Sequence, residues 1–236
     1  MANAERWLIV PDCHVPYHSE HAFGECLYAA KQLRPHGVVL LGDFADCYAV
    51  SSHDRDPSRK AKLADELAHV KAELAKVVKA CGPQLASKHY LMGNHEHRLQ
   101  RYLWTRAPEL HGLVSYEAAV GLKASGWRVT DYGKMLRVGK MHFTHDLGKA
   151  GSGAAKQAMQ DVQGNVVIGH THRMEVYYAG NAKGEQHVGA TLGWLGDPAT
   201  IEYRPDLLVK RQWTHGWGTM DLYKNGNVRL HTHPLF

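Results

Sequence analysis

Five short motifs in this sequence combine side chains that can bind metal ions. They are Asp12-x-His14, Gly42-Asp43-x-x-Asp46, Gly93-Asn94-His95-Glu96, His145-Asp146 and Gly169-His170-x-His172. Mixed nitrogen and hard oxygen donors suit Mn²⁺, Fe or Zn²⁺, and they are too rich in nitrogen for a Mg²⁺ or Ca²⁺ site. Pairs of such ions with a bridging carboxylate typically hydrolyse phosphate esters. The motifs therefore predict a binuclear hydrolytic centre.

Each motif directly follows a short apolar run, which predicts a buried β-strand. The runs are residues 7–10, 38–41, 89–92, 141–144 and 166–168. In an α/β fold, functional side chains gather at the carboxyl ends of the strands. The glycines of the motifs let the chain turn sharply, so that the next side chain faces the ions. We therefore expect the five loops to meet at one place.

Helical patterns separate the first strands. Residues 20–34 predict one helix, and apolar residues at helical spacing from Leu63 to Val77 predict a second. The second helix is predicted to start at Asp56-Pro57 and to stop at Cys81-Gly82-Pro83. Strands are expected again at 175–178, 186–190, 219–223 and 228–231. The pattern predicts an α/β fold in a single domain over residues 1–236.

The composition agrees with an ordinary globular enzyme. The chain has 236 residues, of which 44% are hydrophobic and 22% charged, and a net charge of +5 that is compatible with an anionic substrate. No apolar stretch is long enough for a membrane span, and the N-terminal residues lack the hydrophobic segment of a signal peptide. The four cysteines show no metal-binding pairing, so we expect free thiols and a cytoplasmic location. The oligomeric state stays open, with a homodimer among the alternatives.

In their order and composition, the five motifs resemble those of the calcineurin-like metallophosphoesterases. This family includes phosphoprotein phosphatases, nucleases that process DNA ends and cyclic-nucleotide diesterases. The resemblance spans residues 12–172, about two thirds of the chain. It implies an α/β (α+β) fold, a four-layer β-sandwich of two mixed sheets flanked by helices. The chain looks most like compact stand-alone members, some of them encoded by phages, for which the location would be the host cytoplasm.

The resemblance also implies roles for individual residues. One ion would be held by Asp12, His14 and His172, the other by Asn94, His145 and His170, with Asp43 bridging both. His95 would donate a proton to the leaving group while a hydroxide held between the ions attacks in line, and Asp46 would orient His95. The implied cofactors are two divalent ions, with Mn first and Fe, Zn or Ni as alternatives.

One departure from the family pattern bears on the substrate. In phosphoprotein phosphatases an Arg-Gly pair follows the second aspartate of G-D-x-x-D, whereas Cys47-Tyr48 follow Asp46 here. A protein phosphatase is therefore disfavoured. The positive net charge, the arginines of residues 98–106 and the aromatic and basic residues of 194–217 favour a phosphodiesterase that acts on nucleic acid, DNA or RNA, or on nucleotides. The first alternative is a phosphomonoesterase for a small molecule, a nucleotide or a phosphoprotein. The second is a non-catalytic binding module, which the full set of ligands disfavours.

Two basic segments could contact such a substrate. The helix predicted after His97 contains three arginines and no acid, and Arg98 and Arg101 share a face of it. They are candidate substrate-binding residues, or else a solvated helix edge. Residues 194–217 mix aromatic and basic residues, which could stack bases or only pack the second sheet. This set comprises Trp194, Tyr203, Arg204, Lys210, Arg211, Trp213 and Trp217.

Three other histidine groups are not expected to act. His18 and His21 are predicted to lie on the surface, and His231-x-His233 in a frayed C-terminal tail.

Overall fold

The computed structural model describes residues 4–53, 59, 62–200 and 212–236. The predicted helix start at Asp56-Pro57 lies outside these residues, as do Tyr203, Arg204, Lys210 and Arg211.

The first sheet has six strands. They are β1 (Glu5–Val10), β2 (Gly37–Leu40), β3 (Ser87–Leu91), β4 (Arg128–Thr130), β10 (His215–Leu222) and β11 (Val228–Leu235). Their spatial order is β11-β10-β1-β2-β3-β4. The strands β1 to β4 run parallel, whereas β10 is antiparallel to both β1 and β11. The sheet is therefore mixed.

The second sheet has five strands. They are β5 (Leu136–Val138), β6 (Met141–Thr144), β7 (Asn165–Ile168), β8 (Met174–Gly180) and β9 (Gln186–Leu192). Their order is β5-β6-β7-β9-β8, with β6, β7 and β9 parallel and the two outer strands antiparallel to their neighbours.

Five α-helices accompany the sheets in the described ranges: α1 (Glu20–Leu33), α2 (Leu63–Cys81), α3 (His97–Arg106), α4 (Tyr116–Val120) and α5 (Ala154–Val162). The Ser19 side chain caps α1 by accepting a hydrogen bond from the N–H of Ala22 at 3.2 Å. The helix α2 ends before Gly82, whose φ of 84° no longer fits a helix.

Alternating residues of β1 and β2 bury their side chains on opposite faces of the first sheet. Leu8 and Val38 pack in a cluster with residues of α1 to α4. Ile9 and Val39 pack against Phe143 and other residues of the second sheet. The other face of the second sheet is covered by α5. The order helices, sheet, sheet, helix confirms the predicted four-layer sandwich of two mixed sheets.

The predicted strands and the two long helices are confirmed, but two expectations about histidines are wrong. His231 and His233 do not lie in a frayed tail, because β11 pairs along its whole length with β10. His18 is not a surface residue but is buried at 9% exposure, with its ring 5.1 Å from that of Phe23. Among the described residues, no helix is long and apolar enough to cross a membrane.

Candidate metal centre

The five motifs follow β1, β2, β3, β6 and β7 at their carboxyl ends. Three of these strands belong to the first sheet and two to the second, so the motif loops meet where the edges of the two sheets come together. Long-range hydrogen bonds join the loops. The N–H of His14 donates to the carbonyl of Asp43 at 2.8 Å, and the N–H of His170 donates to Asp12 Oδ1 at 2.9 Å.

The first group of donors consists of Asp12, His14 and His172, all buried. Nε2 of His14 lies 3.1 Å from Nε2 of His172, which in turn lies 3.7 Å from Oδ1 of Asp12. Two nitrogens bound to one ion at about 2.0 to 2.1 Å lie roughly 2.9 to 3.4 Å apart. The separation of the two imidazoles therefore fits ligands of a shared ion.

The second group consists of Asp43, His145 and His170, with Asn94 between them. Asn94 Oδ1 lies 2.9 Å from Nε2 of His145 and 2.9 Å from Nδ1 of His170. His145 Nε2 lies 3.3 Å from Asp43 Oδ2. The Nδ1 of His145 is 2.9 Å from the carbonyl oxygen of Leu41, to which it can only donate, so Nε2 is the atom free to bind a metal.

Within the described part of the chain, the first group carries little charge of its own and leaves one buried carboxyl oxygen without a partner, which a cation would satisfy. Among the described residues, Asp12 Oδ2 has no hydrogen-bond partner although the side chain is fully buried. Burial raises the pKa of Asp12 to about 8, against the opposing effect of His145. Burial and the neighbouring His14 lower the pKa of His172 well below its usual range, so that this ring is neutral. A neutral imidazole beside an unpartnered carboxylate oxygen is a suitable donor set for a divalent metal.

The second group holds a proton that a metal would replace. Burial alone would raise the pKa of Asp43, but His145 and His95 hold it well below its usual range. Burial would likewise lower the pKa of His145, yet the Asp43 carboxylate raises it to about 10. A metal ion needs a deprotonated ligand atom, so binding at His145 releases this proton.

His95 and Asp46 lie beside both groups. The ring of His95 is 4.5 Å from that of His14, and its Nε2 is 3.7 Å from Asp43 Oδ2. Its Nδ1 lies 3.0 Å from the carbonyl and 3.2 Å from Oδ2 of Asp46, so Asp46 is placed to hold the ring. Burial lowers the pKa of His95, but Asp43 and Asp46 together raise it above its usual value.

The Asp46 carboxylate has a second histidine partner that the motifs do not reveal. Its Oδ2 lies 3.2 Å from Nδ1 of His14. Although burial would raise the pKa of Asp46, the rings of His95 and His14 lower it far below its usual value. Asp46 thus orients both a metal-ligand candidate and the candidate proton donor.

The two candidate substrate-binding arginines have different surroundings. Arg98 is largely buried, with Nη1 donating to the carbonyl of Asp46 at 2.9 Å and Nη2 lying 2.9 Å from His95 Nε2. Arg101 is exposed, and within the described ranges its guanidinium makes no hydrogen bond or ion pair. Leu99 and Leu103 of the same helix are buried in the core.

The backbone of the centre adopts conformations that most residues avoid. Of the seven non-glycine residues with positive φ in the described ranges, four are candidate ligands: His14, Asp43, His170 and His172. Such strain concentrates at functional sites. The predicted sharp turn is present at Gly42, with a φ of 92°. Gly93 is needed for a different reason, since a Cβ there would lie 2.1 Å from Asp43 Oδ1.

The tryptophans of residues 194–217, which could either stack bases or pack inside the protein, differ in how deeply they are buried. Trp194 and Trp217 are buried, at 1% and 7% exposure, so these two rings pack within the protein. Trp194 stacks on His172 with ring centroids 4.7 Å apart and therefore supports that candidate ligand. Trp213 is half-buried and meets His172 edge-on at 4.6 Å.

Glu96 and Tyr132 are two further residues of the centre. Glu96 is fully buried, and its carboxylate accepts four hydrogen bonds. Its position directly after His95 in the third motif indicated that Glu96 lies behind the metal ligands, but the motif did not reveal which groups it would bind. The ring of Tyr132 lies 6.4 Å from that of His145. No sequence signal pointed to Tyr132, because it follows β4, a three-residue edge strand that the apolar runs did not predict.

No protein-family model matches the chain, and no curated protein matches it. Several solved structures are similar. A phosphatase from Mycoplasma pneumoniae is 10% identical with a TM-score of 0.50, over 100% of this chain and 94% of that chain. A dimetal phosphatase from Danio rerio is 14% identical with a TM-score of 0.46, over 93% of each chain. Vps29 from Entamoeba histolytica, complexed with Zn²⁺, is 11% identical with a TM-score of 0.43, over 97% of this chain and 98% of that chain.

The two mixed sheets, the flanking helices and the position of the five motif loops define the fold of the protein. The chain has the calcineurin-like metallophosphoesterase fold, as the motifs predicted.

Proposed function

We propose that this protein is a metal-dependent phosphoesterase that holds two divalent ions. The observation that carries the proposal is the meeting of two buried donor groups at one place, with His95 in contact with His14 of the first and close to Asp43 of the second. A fold serving only as a binding surface has no need for these strained and buried polar residues.

The proposed ligands are Asp12, His14 and His172 for one ion, Asn94, His145 and His170 for the other, and Asp43 for both. Bound ions would supply an activated water as nucleophile and neutralise charge on the phosphoryl group. We propose Mn²⁺ as the native metal, because the donors combine imidazole nitrogens with carboxylate and amide oxygens; Fe, Zn and Ni are the alternatives.

The proposed role of His95 is to donate a proton from Nε2 to the leaving-group oxygen. Asp46 accepts from Nδ1 and so fixes the plane of the ring. Arg98 is anchored on Asp46 through Nη1, while its Nη2 donates to Nε2 of His95 at 2.9 Å, so Nε2 can hold a proton only when the guanidinium gives up this contact. An ester oxygen that enters beside Nε2 would therefore meet the imidazole and the guanidinium together.

We propose a phosphodiester as the substrate, within a nucleic acid or a nucleotide. A diester carries one negative charge, whereas a terminal phosphate carries nearly two. The guanidinium of Arg98, beside the centre, is already paired with the Asp46 carboxylate, so within the described ranges the proposed ions themselves would have to compensate a second negative charge on the substrate. A monoester is the alternative substrate.

The proposal is tested with purified protein loaded with Mn²⁺ and two chromogenic substrates, bis-p-nitrophenyl phosphate and p-nitrophenyl phosphate. The blank is Asp43→Asn, and the matched control is Asp161→Asn, whose side chain is 52% exposed on α5. We expect metal-dependent hydrolysis of the diester, faster than of the monoester, in the wild type and in the control only. Faster hydrolysis of the monoester would refute the diester preference. If the protein hydrolyses neither ester, the proposed phosphoesterase activity is refuted.

All four cysteines are buried and free, which supports a reducing compartment. We accordingly propose a cytoplasmic location.

A further inference from the structure

A line of aromatic contacts runs from the candidate metal centre to the surface. The ring of Tyr132 lies 6.4 Å from that of the candidate ligand His145. It stacks on His97, with centroids 5.1 Å apart and planes at 29°. His97 in turn meets Trp104 edge-on at 5.5 Å. We call Tyr132, His97 and Trp104 the aromatic strip.

The outer end of the aromatic strip is open to solvent. His97, Arg101 and Trp104 occupy positions i, i+4 and i+7 of α3 and so share one face of the helix. Leu99 and Leu103 bury the opposite face in the core. Trp104 is nevertheless 52% exposed, so the fold does not need its indole ring for packing.

Positive charge accompanies the aromatic strip. The helix α3 contains three arginines and no acidic residue. Arg101 is exposed and, in the part of the chain that the structure describes, its guanidinium is unpaired. Arg101 lies four residues after His97 on α3, so it shares the helix face of the strip.

Resting on the proposed phosphoesterase activity, we propose that the aromatic strip and Arg101 bind an unpaired nucleobase and its adjoining phosphate. Aromatic rings stack on bases of any identity, and a neighbouring arginine binds the phosphate. The Tyr132 hydroxyl lies 3.2 Å from Asp146 Oδ2, to which it donates, and the ring is thereby held in place before a ligand binds.

The charge of α3 favours this ligand over an apolar protein surface. A protein partner that covered Trp104 would also have to neutralise Arg101, whereas a nucleotide supplies the aromatic face and the anion in one molecule. The ligand chemistry is the same for a mononucleotide and for a single strand of nucleic acid, so the test separates the two.

The test measures binding of a short fluorescein-labelled oligothymidylate with phosphorothioate linkages, which resist hydrolysis, to the Mn²⁺-loaded protein by fluorescence anisotropy. The variants are Trp104→Ala, Trp104→Phe and Arg101→Gln, and the control is Leu113→Ala, at a residue that is 78% exposed. We expect Trp104→Ala to raise Kd about 5- to 100-fold, as for the loss of one stacked base, and Trp104→Phe to retain most of the binding. Arg101→Gln should reduce the slope of log Kd against the logarithm of the salt concentration by about 0.7, the value for one lost phosphate contact on a single strand.

Unlabelled competitors identify the source of the ligand. Competition by thymidine 5′-monophosphate supports a nucleotide ligand, and competition by the unlabelled strand alone supports a nucleic acid. Equal competition by deoxyribose 5-phosphate would overturn the proposal, because that compound has no base. An unchanged Kd in Trp104→Ala would overturn it as well.

The two proposals fail in different ways. A wild type that hydrolyses the chromogenic diester but does not bind the oligonucleotide contradicts the base-binding strip alone. A wild type that binds the oligonucleotide but hydrolyses neither ester contradicts the phosphoesterase alone.

Discussion

The carboxylate of Glu96 accepts a hydrogen bond from the main-chain N–H of Asp43 at 3.0 Å, through the same oxygen that accepts from the N–H of Gly93 at 2.7 Å. Its other oxygen accepts from the N–H of Ala45 and the hydroxyl of Tyr90, both at 2.9 Å. One buried carboxylate thus ties together the loops that follow β2 and β3. Those loops carry Asp43, Asn94 and His95, so the geometry of the centre depends on a residue that binds no metal.

Replacing the carboxylate of Glu96 by an amide should destabilise the folded protein. In Glu96→Gln one oxygen becomes an NH₂ group that faces two donors, and each buried donor left unpaired costs about 1 to 3 kcal/mol. We expect the free energy of unfolding in urea to fall by about 2 to 6 kcal/mol. Glu25→Gln, at an exposed position of α1, is the matched control and should change stability little. A Glu96→Gln variant as stable as this control would contradict the account.

Gly93 should not tolerate even a methyl group. A Cβ at this position would lie 2.1 Å from Asp43 Oδ1 and 2.4 Å from the Asp43 nitrogen, both held by the loop. We expect Gly93→Ala to lose bound metal and activity. Gly151→Ala is the control, because a Cβ there meets nothing within 4 Å. The measurement is the metal content of both variants by inductively coupled plasma mass spectrometry. If Gly93→Ala also binds two ions, Asp43 can move away from the added methyl group without losing the metals.

His95 should act on the substrate and not on the metals. We expect His95→Ala to retain two ions while kcat falls by roughly 10²- to 10⁴-fold, the usual contribution of a positioned acid or base. His21→Ala, on the exposed side of α1, serves as control. If His95→Ala loses bound ions as well as activity, His95 is a metal ligand and the assigned roles are incorrect.

Arg98 touches both His95 and Asp46, so its effect can be assigned with a double-mutant cycle. The loss of one charge-assisted hydrogen bond in Arg98→Ala should lower kcat/KM about 10- to 100-fold. If Arg98 also binds the phosphate, the same loss should recur in the His95→Ala background, so that the two effects multiply. A double variant no slower than His95→Ala alone would show that Arg98 only positions the imidazole.

Much of the centre could be predicted because its residues are local to the strands. Each ligand candidate follows a buried apolar run, and parallel strands bring their carboxyl ends together whatever the intervening sequence. The ordered motifs then distinguished the candidate ligands, including His170 and His172, from the other histidines. The fold class followed from the same motifs.

What the sequence did not reveal are contacts between distant residues. The stacking of Trp194 on His172 and of Tyr132 on His97 depends on how the elements pack, which no local pattern encodes. His231 looked like part of a tail because it lies near the C-terminus and no glycine turn precedes it, whereas its strand β11 pairs with β10, the neighbour of the distant strand β1. His18 is buried because residues near Gly196, far along the chain, cover it.

An anomalous-scattering map of crystals grown with Mn²⁺ shows whether two ions share Asp43. We expect two peaks, one bound by Asp12, His14 and His172 and the other by Asn94, His145 and His170, with Asp43 bound to both. We also expect both peaks to weaken in Asp43→Asn and to persist in Asp161→Asn. A single peak, or two peaks of which only one weakens in Asp43→Asn, would contradict the shared carboxylate.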